Sequence, residues 1–488
     1  MCGLATALRS MISRLRHGEE NGLDPAGTVP EIVADLVVRR SKGRVLFVHP
    51  ERPRWILLNE SGAELAQLLD GTRTVRAIAE DIATGARVAA ETVEADLMGL
   101  VRDLYRRGFL VTEADRQYRG KAFGVASVFV RVTDACNLRC TQCYTDSFGA
   151  LKSKTDEFTT EELRALLREI KDLHGNTVNF SGGEPLLRPD MLELIEYAVH
   201  ELGLKVRLAS NGTLLLGEGV VQRLVPALHE IQVSFDGPTA EIHDAVRGRG
   251  SFESSVRGVR AYLDAGGEHG LAISMTLMRE NIARAHDLPL LAQRLGVRTV
   301  RYLTVMNDGR AAQNWAEEIR PSDEQYIEFY EGLYFARRTV EGVDVQGGLQ
   351  GFLPQIADDF RDECMLCPVS LTPAVSPTGD VYPCSMFERP HMRMGNVRDE
   401  GGLRAVIESG KLQAVRATLQ QRPKEISECS KCDWRGMCQS GCAGSVDMNN
   451  GDVKHPDGYC EVRDHLYMRL IFDEAGKGSD AGNCACVE

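Results

Sequence analysis

The sequence predicts an α/β fold whose centre is a partial (β/α)6 barrel of the TIM type. Three observations predict it. Between residues 126 and 304, short apolar runs alternate with longer amphipathic ones, the pattern of repeated βαβ units on a parallel sheet. Polar, glycine-containing motifs fall at the ends of those runs, at strand C-termini, where such barrels carry their chemistry. A cysteine-rich stretch follows the alternating region and calls for a separate unit.

The strands read from the pattern are 126–132, 177–181, 205–210, 231–235, 271–277 and 299–304. Helices are expected near 159–173, 190–202, 218–229, 252–265 and 283–295. Ahead of them lie a short basic amphipathic start and the linker GLDPAGTVP. Three strand-like runs come next, ADLVVRR, GRVLFVHP and RWILLN. Helical stretches SGAELAQLLD, TVRAIAEDIAT and 90–108 follow, closing at GFLV. The chain thus divides into 1–115, a core at 124–310, a connecting segment at 311–363, a cysteine-rich unit at 364–470 and a tail at 471–488. The tail, ending GKGSDAGNCACVE, is glycine-rich and polar and is expected to be mobile, its Cys484 and Cys486 incidental.

The run CNLRCTQC places Cys136, Cys140 and Cys143 in a CxxxCxxC spacing directly after the first barrel strand. Three thiolates on one tight loop can hold three irons of a cubane 4Fe–4S cluster. The fourth iron keeps an open position, which can bind and polarise a substrate. A structural zinc site, or free thiols, is the competing reading of the spacing alone.

Downstream come SGGEPLLRP (181–189), LASNGT (208–213), IQVSFDGP (231–238) and HDAVRG (243–248). With these motifs in order, residues 124–305 resemble the radical S-adenosylmethionine (SAM) superfamily. The three cysteines match its cluster motif, and Gly182, Gly183, Glu184 and Pro185 match its GGEP motif. The resemblance implies that the open iron chelates SAM, and that one electron cleaves it to methionine and a 5′-deoxyadenosyl radical, which abstracts hydrogen from substrate. It implies an electron donor such as a flavodoxin or ferredoxin. The GGEP segment would bind the methionine amino group, its glycines allowing close backbone approach. Ser210, Asn211, Ser234 and Arg247 match positions that hold ribose and carboxylate. Family members often carry an aromatic residue just before the third cysteine. Here that residue is Gln142, and Tyr144, which follows, is expected to take the adenine contact. Six units rather than eight imply a barrel open enough to admit a large substrate.

The second cysteine group comprises Cys364 and Cys367, then Gly379 and Cys384 in SPTGDVYPC, then Cys429, Cys432, Cys438, Cys442 and Cys460. This order resembles the SPASM extension of radical SAM enzymes. The resemblance implies two auxiliary 4Fe–4S clusters, one on Cys364, Cys367, Cys384 and Cys442, the other on Cys429, Cys432, Cys438 and Cys460. With the first site, that makes three clusters. Two zinc ribbons are the alternative.

Residues 1–115 resemble a small winged helix-turn-helix and, through ILLNESGAELAQLLDGTRTVRAIAEDI and RRGFL, the PqqD-like peptide-binding family. That family recognises leaders of ribosomally made precursor peptides, a role served by strand addition at a sheet edge. The implied enzyme binds such a precursor and modifies its core, most simply to a thioether or carbon–carbon crosslink. A maturase of whole proteins, of the anaerobic sulfatase-maturase type, or a tetrapyrrole-modifying enzyme is the alternative. Composition agrees. A net charge of −13 argues against nucleic acid as partner. No apolar run is long enough to span a membrane. Fourteen cysteines, eleven of them in the two groups above, without an evident signal peptide, fit a reducing cytoplasm and metal ligation rather than disulfides.

On this reading, anaerobically reconstituted protein carries about twelve irons. Replacing Cys136, Cys140 and Cys143 together by Ala removes about a third of them and abolishes 5′-deoxyadenosine formation, as iron assay and chromatography would show. Persistent SAM cleavage in that variant refutes the assignment.

Overall fold

The computed structural model describes residues 24–111, 127–347 and 372–477, apart from 25–26, 35, 42, 50–53, 87, 150–155, 314 and 316–318. Cys364, Cys367, Cys484 and Cys486 lie outside the described residues.

The N-terminal unit is a meander of three antiparallel strands, β1 (Val37–Ser41), β2 (Arg44–Val48) and β3 (Trp55–Asn59). Three helices follow, α1 (Glu60–Gln67), α2 (Val75–Ala86) and α3 (Ala90–Arg106). Asn59 caps α1 by accepting from the Gly62 N–H at 2.7 Å. Strand periodicity sorts the sheet's side chains between two cores. Val45, Phe47 and Ile56 pack on the unit's own helices. Leu46 and Val48 point the other way and are fully buried in the main core of the molecule.

That main core is built on a parallel sheet: β4 (Ser127–Arg131), β5 (Thr177–Ser181), β6 (Lys205–Ser210), β7 (Glu230–Ser234), β8 (Leu271–Leu277) and β9 (Thr299–Thr304). These are the six strands expected. Helices α4 (Thr160–Asp172), α5 (Met191–Glu196), α6 (Val220–Ala227), α7 (Ala240–Arg247), α8 (Ser251–Asp264) and α9 (Leu288–Leu295) cover it. Val128, Val130, Val178, Phe180, Val206 and Leu208 share a core with Leu163, Leu166 and Leu167 of α4. The alternate strand positions Asn179, Arg207, Gln232 and Arg301 are polar and only half-buried, so the opposite face of the sheet is polar. A reciprocal capping box between Thr159 and Glu162 starts α4.

The sheet runs further than six strands at both edges. After the short α10 (Gly309–Gln313) and the long α11 (Asp323–Thr339), β10 (Asp344–Gly347) adds in parallel to β9. Its sequence, DVQG, has no apolar run, and it lies in the segment read as a connector. At the other edge, β11 (Ala374–Val375) pairs in parallel with β4, and β12 (Asp380–Tyr382) and β13 (Gly395–Asn396) continue antiparallel. The cysteine-rich unit is therefore hydrogen-bonded into the barrel sheet. It continues through α12 (Gly402–Glu408), α13 (Lys411–Glu425), α14 (Ser427–Ser430), α15 (Arg435–Cys438), α16 (Ala443–Asn450) and α17 (Cys460–Lys477). The tail does not begin at 471. Helix α17 passes through that point to Lys477, because Phe472 is buried in the main core. Among the described residues, no helix is long and apolar enough to cross a membrane.

Phe472→Ala should cost about 3 kcal/mol, the usual range for emptying a buried aromatic site. Denaturant unfolding of the metal-free protein would measure it, and an unchanged midpoint would return Phe472 to the tail.

Candidate active site

The loop that carries Cys136, Cys140 and Cys143 leaves β4, and the chain holds it from four sides. From β5, the N–H of Gly183 donates to the Thr133 carbonyl and that of Glu184 to the Ala135 carbonyl, both at 2.8 Å. From β6, the Asn211 side-chain amide donates to Asn137 Oδ1 at 2.8 Å, and Asn137 in turn donates to Thr213 Oγ1 at 2.8 Å. From α7, the Val246 carbonyl accepts from the Thr141 N–H at 3.0 Å. From α10, Arg310 donates four times: backbone N–H to Cys143 O at 2.9 Å, Nε to Cys140 O at 2.8 Å, Nη1 to Asp146 Oδ1 at 2.7 Å and Nη2 to Ser147 O at 3.0 Å.

The glycines of the GGEP motif serve this clasp. A Cβ on Gly182 would lie 2.3 Å from the Thr133 carbonyl oxygen, and one on Gly183 would lie 2.0 Å from that of Ala135. Gly182 also sits at φ +144°, where side chains are rarely tolerated. The close approach expected toward a ligand is thus an approach of the chain to itself.

Glu184 is fully buried, and its carboxylate is wholly engaged. Oε1 accepts from Ser210 Oγ at 3.0 Å and Leu186 N–H at 3.1 Å, and Oε2 from Asn211 N–H at 2.8 Å. Burial pushes its pKa up, against those three donors. Five of the expected SAM-site residues (Gly182, Gly183, Glu184, Ser210 and Asn211) therefore form one frame behind the cysteine loop.

Arg247 and Ser234 differ. Arg247 donates Nε to Asp236 Oδ2 at 2.6 Å, while its two Nη nitrogens meet no acceptor among the described residues. It stands within electrostatic reach of Cys136 and Cys140. Ser234, half-buried at the end of β7, makes no side-chain hydrogen bond to a described residue. Asp236, fully buried, organises this side. It also accepts from Gln142 Nε2 and, through Oδ1, from the Thr276 N–H at 2.9 Å. Tyr144 lies apart from both groups. Its hydroxyl is against Ser181, beside Arg131 and Glu388, and burial pushes it up to about 12. Asn137, Gln142, Asp236 and Arg310 were missed as site residues. Asp236 stood within the SFDGP motif, and Gln142 and Asn137 within the cysteine run, but Arg310 carries no local signal.

In the C-terminal unit, the thiols of Cys429, Cys432, Cys438 and Cys460 form one electrostatic neighbourhood. Cys442 is set differently: it caps α16, its sulfur accepting from the Ser445 N–H at 3.4 Å. Cys384 is buried beyond β12. Arg131 at the end of β4 bridges Asp134 and Glu388 and ties the unit to the barrel, while within the unit Asp457 pairs with Arg463 at 2.6 Å, nearly inaccessible to solvent.

Comparison with known proteins agrees with this arrangement. Three family models match in chain order: the coenzyme PQQ synthesis protein D (PqqD) family over 44–110, the radical SAM superfamily over 130–288, and the SPASM iron–sulfur cluster-binding domain over 367–433. Mycofactocin maturase MftC of Mycobacterium tuberculosis is 30% identical over 339 residues, covering 67% of this chain and 81% of that protein. The chain belongs to the radical SAM enzymes that bear a SPASM domain. The AdoMet-dependent heme synthase of Oleidesulfovibrio alaskensis is also similar, 31% identical over 64% of this chain and 80% of that protein. Among solved structures, SuiB of Streptococcus suis bound to the precursor peptide SuiA shares the fold, with a TM-score of 0.56, 15% identity, and coverage of 88% of this chain and 100% of that one. Native anSMEcpe with bound AdoMet and the Cp18Cys peptide does so with a TM-score of 0.58, 20% identity, and coverage of 72% and 99%.

A radical SAM enzyme with a SPASM domain works with SAM and iron–sulfur clusters, and the residues present suit them. Cys136, Cys140 and Cys143 lie within mutual electrostatic reach on one loop. Burial pushes the Cys136 thiol up to about 11, with Glu184, Cys140 and Cys143 adding to it. Ligating irons offset the repulsion among such thiolates. Among the described residues, no three His, Cys, Asp or Glu side chains converge as a single-ion site.

Arg310→Ala should free the cysteine loop on one side while leaving its thiols in place. Iron bound at this site, measured in a variant lacking the C-terminal cysteines, should fall at least twofold, with Arg310→Lys intermediate. Full iron loading in Arg310→Ala would show the other three anchors to be sufficient.

Proposed function

We propose that this radical SAM enzyme captures a ribosomally made precursor peptide by its leader and modifies the core, forming a thioether or carbon–carbon crosslink. One observation carries the reading: a PqqD-like unit, a radical SAM core and a SPASM unit occupy one chain in that order. In this reading residues 1–115 are a winged helix-turn-helix that adds the leader as a strand at a sheet edge. Strand β1 lies at an edge of its sheet, with Val38 40% exposed. Tethering then raises the effective concentration of the core peptide at the barrel. The polar face of the barrel sheet, with Asn179, Gln232 and Arg301, is suited to a peptide substrate.

Bound at its cluster, SAM supplies a 5′-deoxyadenosyl radical that abstracts hydrogen from the peptide. The chain's own residues orient it. Arg247 holds the SAM carboxylate with its unpartnered Nη nitrogens, Ser234 offers a hydroxyl to the ribose, and the backbone at Gly182–Gly183 faces the methionine amino group. Glu184, Ser210 and Asn211 keep that backbone in position. Tyr144, whose hydroxyl stands against Ser181, is the residue that would contact adenine. Two auxiliary clusters sit on Cys364, Cys367, Cys384 and Cys442 and on Cys429, Cys432, Cys438 and Cys460. Clusters held there would supply an acceptor for the electron that crosslinking releases. A flavodoxin or ferredoxin in a reducing cytoplasm supplies the first electron.

The similarity to a heme synthase favours a second reading, in which the substrate is a tetrapyrrole. The PqqD-like unit favours the peptide. Full-length enzyme should bind the leader of a short peptide encoded beside its gene with micromolar affinity or better, on the order of −8 kcal/mol. With reductant and SAM, the peptide should lose two hydrogens by mass spectrometry. Unchanged mass with altered chirality would indicate epimerisation instead. Turnover of a tetrapyrrole with no peptide binding would establish the second reading.

A further inference from the structure

The N-terminal unit does not merely precede the catalytic core; it grips the loop that presents an auxiliary site. Arg39 lies on β1, on the face opposite the unit's own helices, in register with Leu46. Its Nε donates to Asp433 Oδ2 at 2.7 Å, and Nη2 is ion-paired with the same oxygen at 2.6 Å. Nη2 is also 3.8 Å from Asp464. The guanidinium stands 5.8 Å from the centre of the Trp434 ring. Trp434 is buried and donates Nε1 to Asp464 at 2.6 Å. Beside this polar grip, Leu46 and Val48 bury themselves completely in the core they share with Trp434, Met437 and Val462.

Asp433 and Trp434 are not neutral neighbours. They follow Cys432 directly, and the Trp434 carbonyl accepts from the Cys438 N–H at 2.7 Å, so one turn joins two of the grouped thiols. Asp433 and Asp464 are both within electrostatic reach of Cys432. Two carboxylates beside a thiolate-ligated cluster oppose its reduction, which adds a further negative charge. The potential of such a cluster depends on the net charge around it and on hydrogen bonds to its sulfurs. Arg39 is the cation set against both carboxylates, and it comes from a different unit of the chain.

We propose that Arg39 is a positioning residue for the site of Cys429, Cys432, Cys438 and Cys460, fixing the Cys432–Cys438 turn and raising the reduction potential of the cluster held there. The inference rests on the cluster reading of those four cysteines, and not on leader binding. Where leader addition does occur at β1, the same contact makes substrate capture felt at this site.

The test uses full-length protein with Cys136, Cys140 and Cys143 replaced by Ala, so that only C-terminal clusters give signals. Redox titration followed by electron paramagnetic resonance reads the potential, and iron assay reads loading. Arg39→Gln should shift one auxiliary potential to a more negative value, Arg39→Lys should stay near the parent, and Arg39→Gln combined with Asp433→Asn should move back toward it. Hydrogen exchange in the metal-free protein gives an independent readout. Arg39→Gln should raise exchange across residues 429–442 at least threefold, while exchange in the barrel strands stays unchanged. If Arg39→Gln loses iron at this site and Arg39→Lys keeps it, the positioning role likewise stands. Unchanged potential, loading and exchange in Arg39→Gln overturn the proposal, as does equal loss of iron in Gln and Lys variants. Zinc in place of iron at the four cysteines would sink the cluster reading itself, a result distinguishable from failure of the Arg39 contact.

Discussion

A single buried carboxylate sets the geometry on which the rest of the active site depends. Glu184 has no solvent contact and no cationic hydrogen-bond partner; hydroxyl and backbone donors from Leu186, Ser210 and Asn211 satisfy it. A buried acid is tolerated only when its oxygens are hydrogen-bonded, and losing one partner leaves a costly orphan. The ends of β5 and β6 are thus tied together at one level. That level in turn decides where Gly183 and Glu184 meet Thr133 and Ala135, and so where the cysteine loop begins. The constraint is steric as well as polar, since the gap between these segments admits no Cβ.

The frame separates two kinds of polar residue. Some are consumed by the protein: Glu184, Ser210, Asn211 and Asp236 have their hydrogen-bonding capacity turned inward. Others retain capacity, Arg247 foremost. Asp236 fixes the Arg247 guanidinium through Nε alone, which orients the side chain without using its two terminal nitrogens. A guanidinium held this way is preorganised for bidentate recognition of a carboxylate.

Much of this was legible in the sequence because it is local. Each barrel strand is a short apolar run, and each chemical motif follows its strand within a few residues. What escaped is non-local. Arg310 lies about 170 positions beyond the cysteines it clasps, in a run with no motif. In strand β10 Val345 is buried between the exposed Asp344 and Gln346, and its identity comes from pairing with β9 rather than from its own pattern. Tyr144 follows Cys143 in sequence, but its neighbours Arg131, Ser181 and Glu388 come from other strands and loops. The GGEP glycines stand out in the sequence, but their tight packing on Thr133 and Ala135 is visible only in the fold. Phe472 closes the apolar run LYMRLIF, and the polar residues after it hid that the helix continues to Lys477.

The pairing of β11 with β4 has a further consequence. Ala374 and Val375 are locked beside Phe129 and Val130 by backbone hydrogen bonds, and the two strands lead respectively toward Cys384 and Cys136. The loops that carry Cys136 and Cys384 therefore leave one continuous sheet and not separate bodies joined by a hinge. Arg131–Glu388, Arg398–Glu162 and the Leu403 N–H to Glu169 add cross-braces between the same two parts. Any groups held by the loops after these two strands would therefore keep a spacing set by strand register rather than by a hinge.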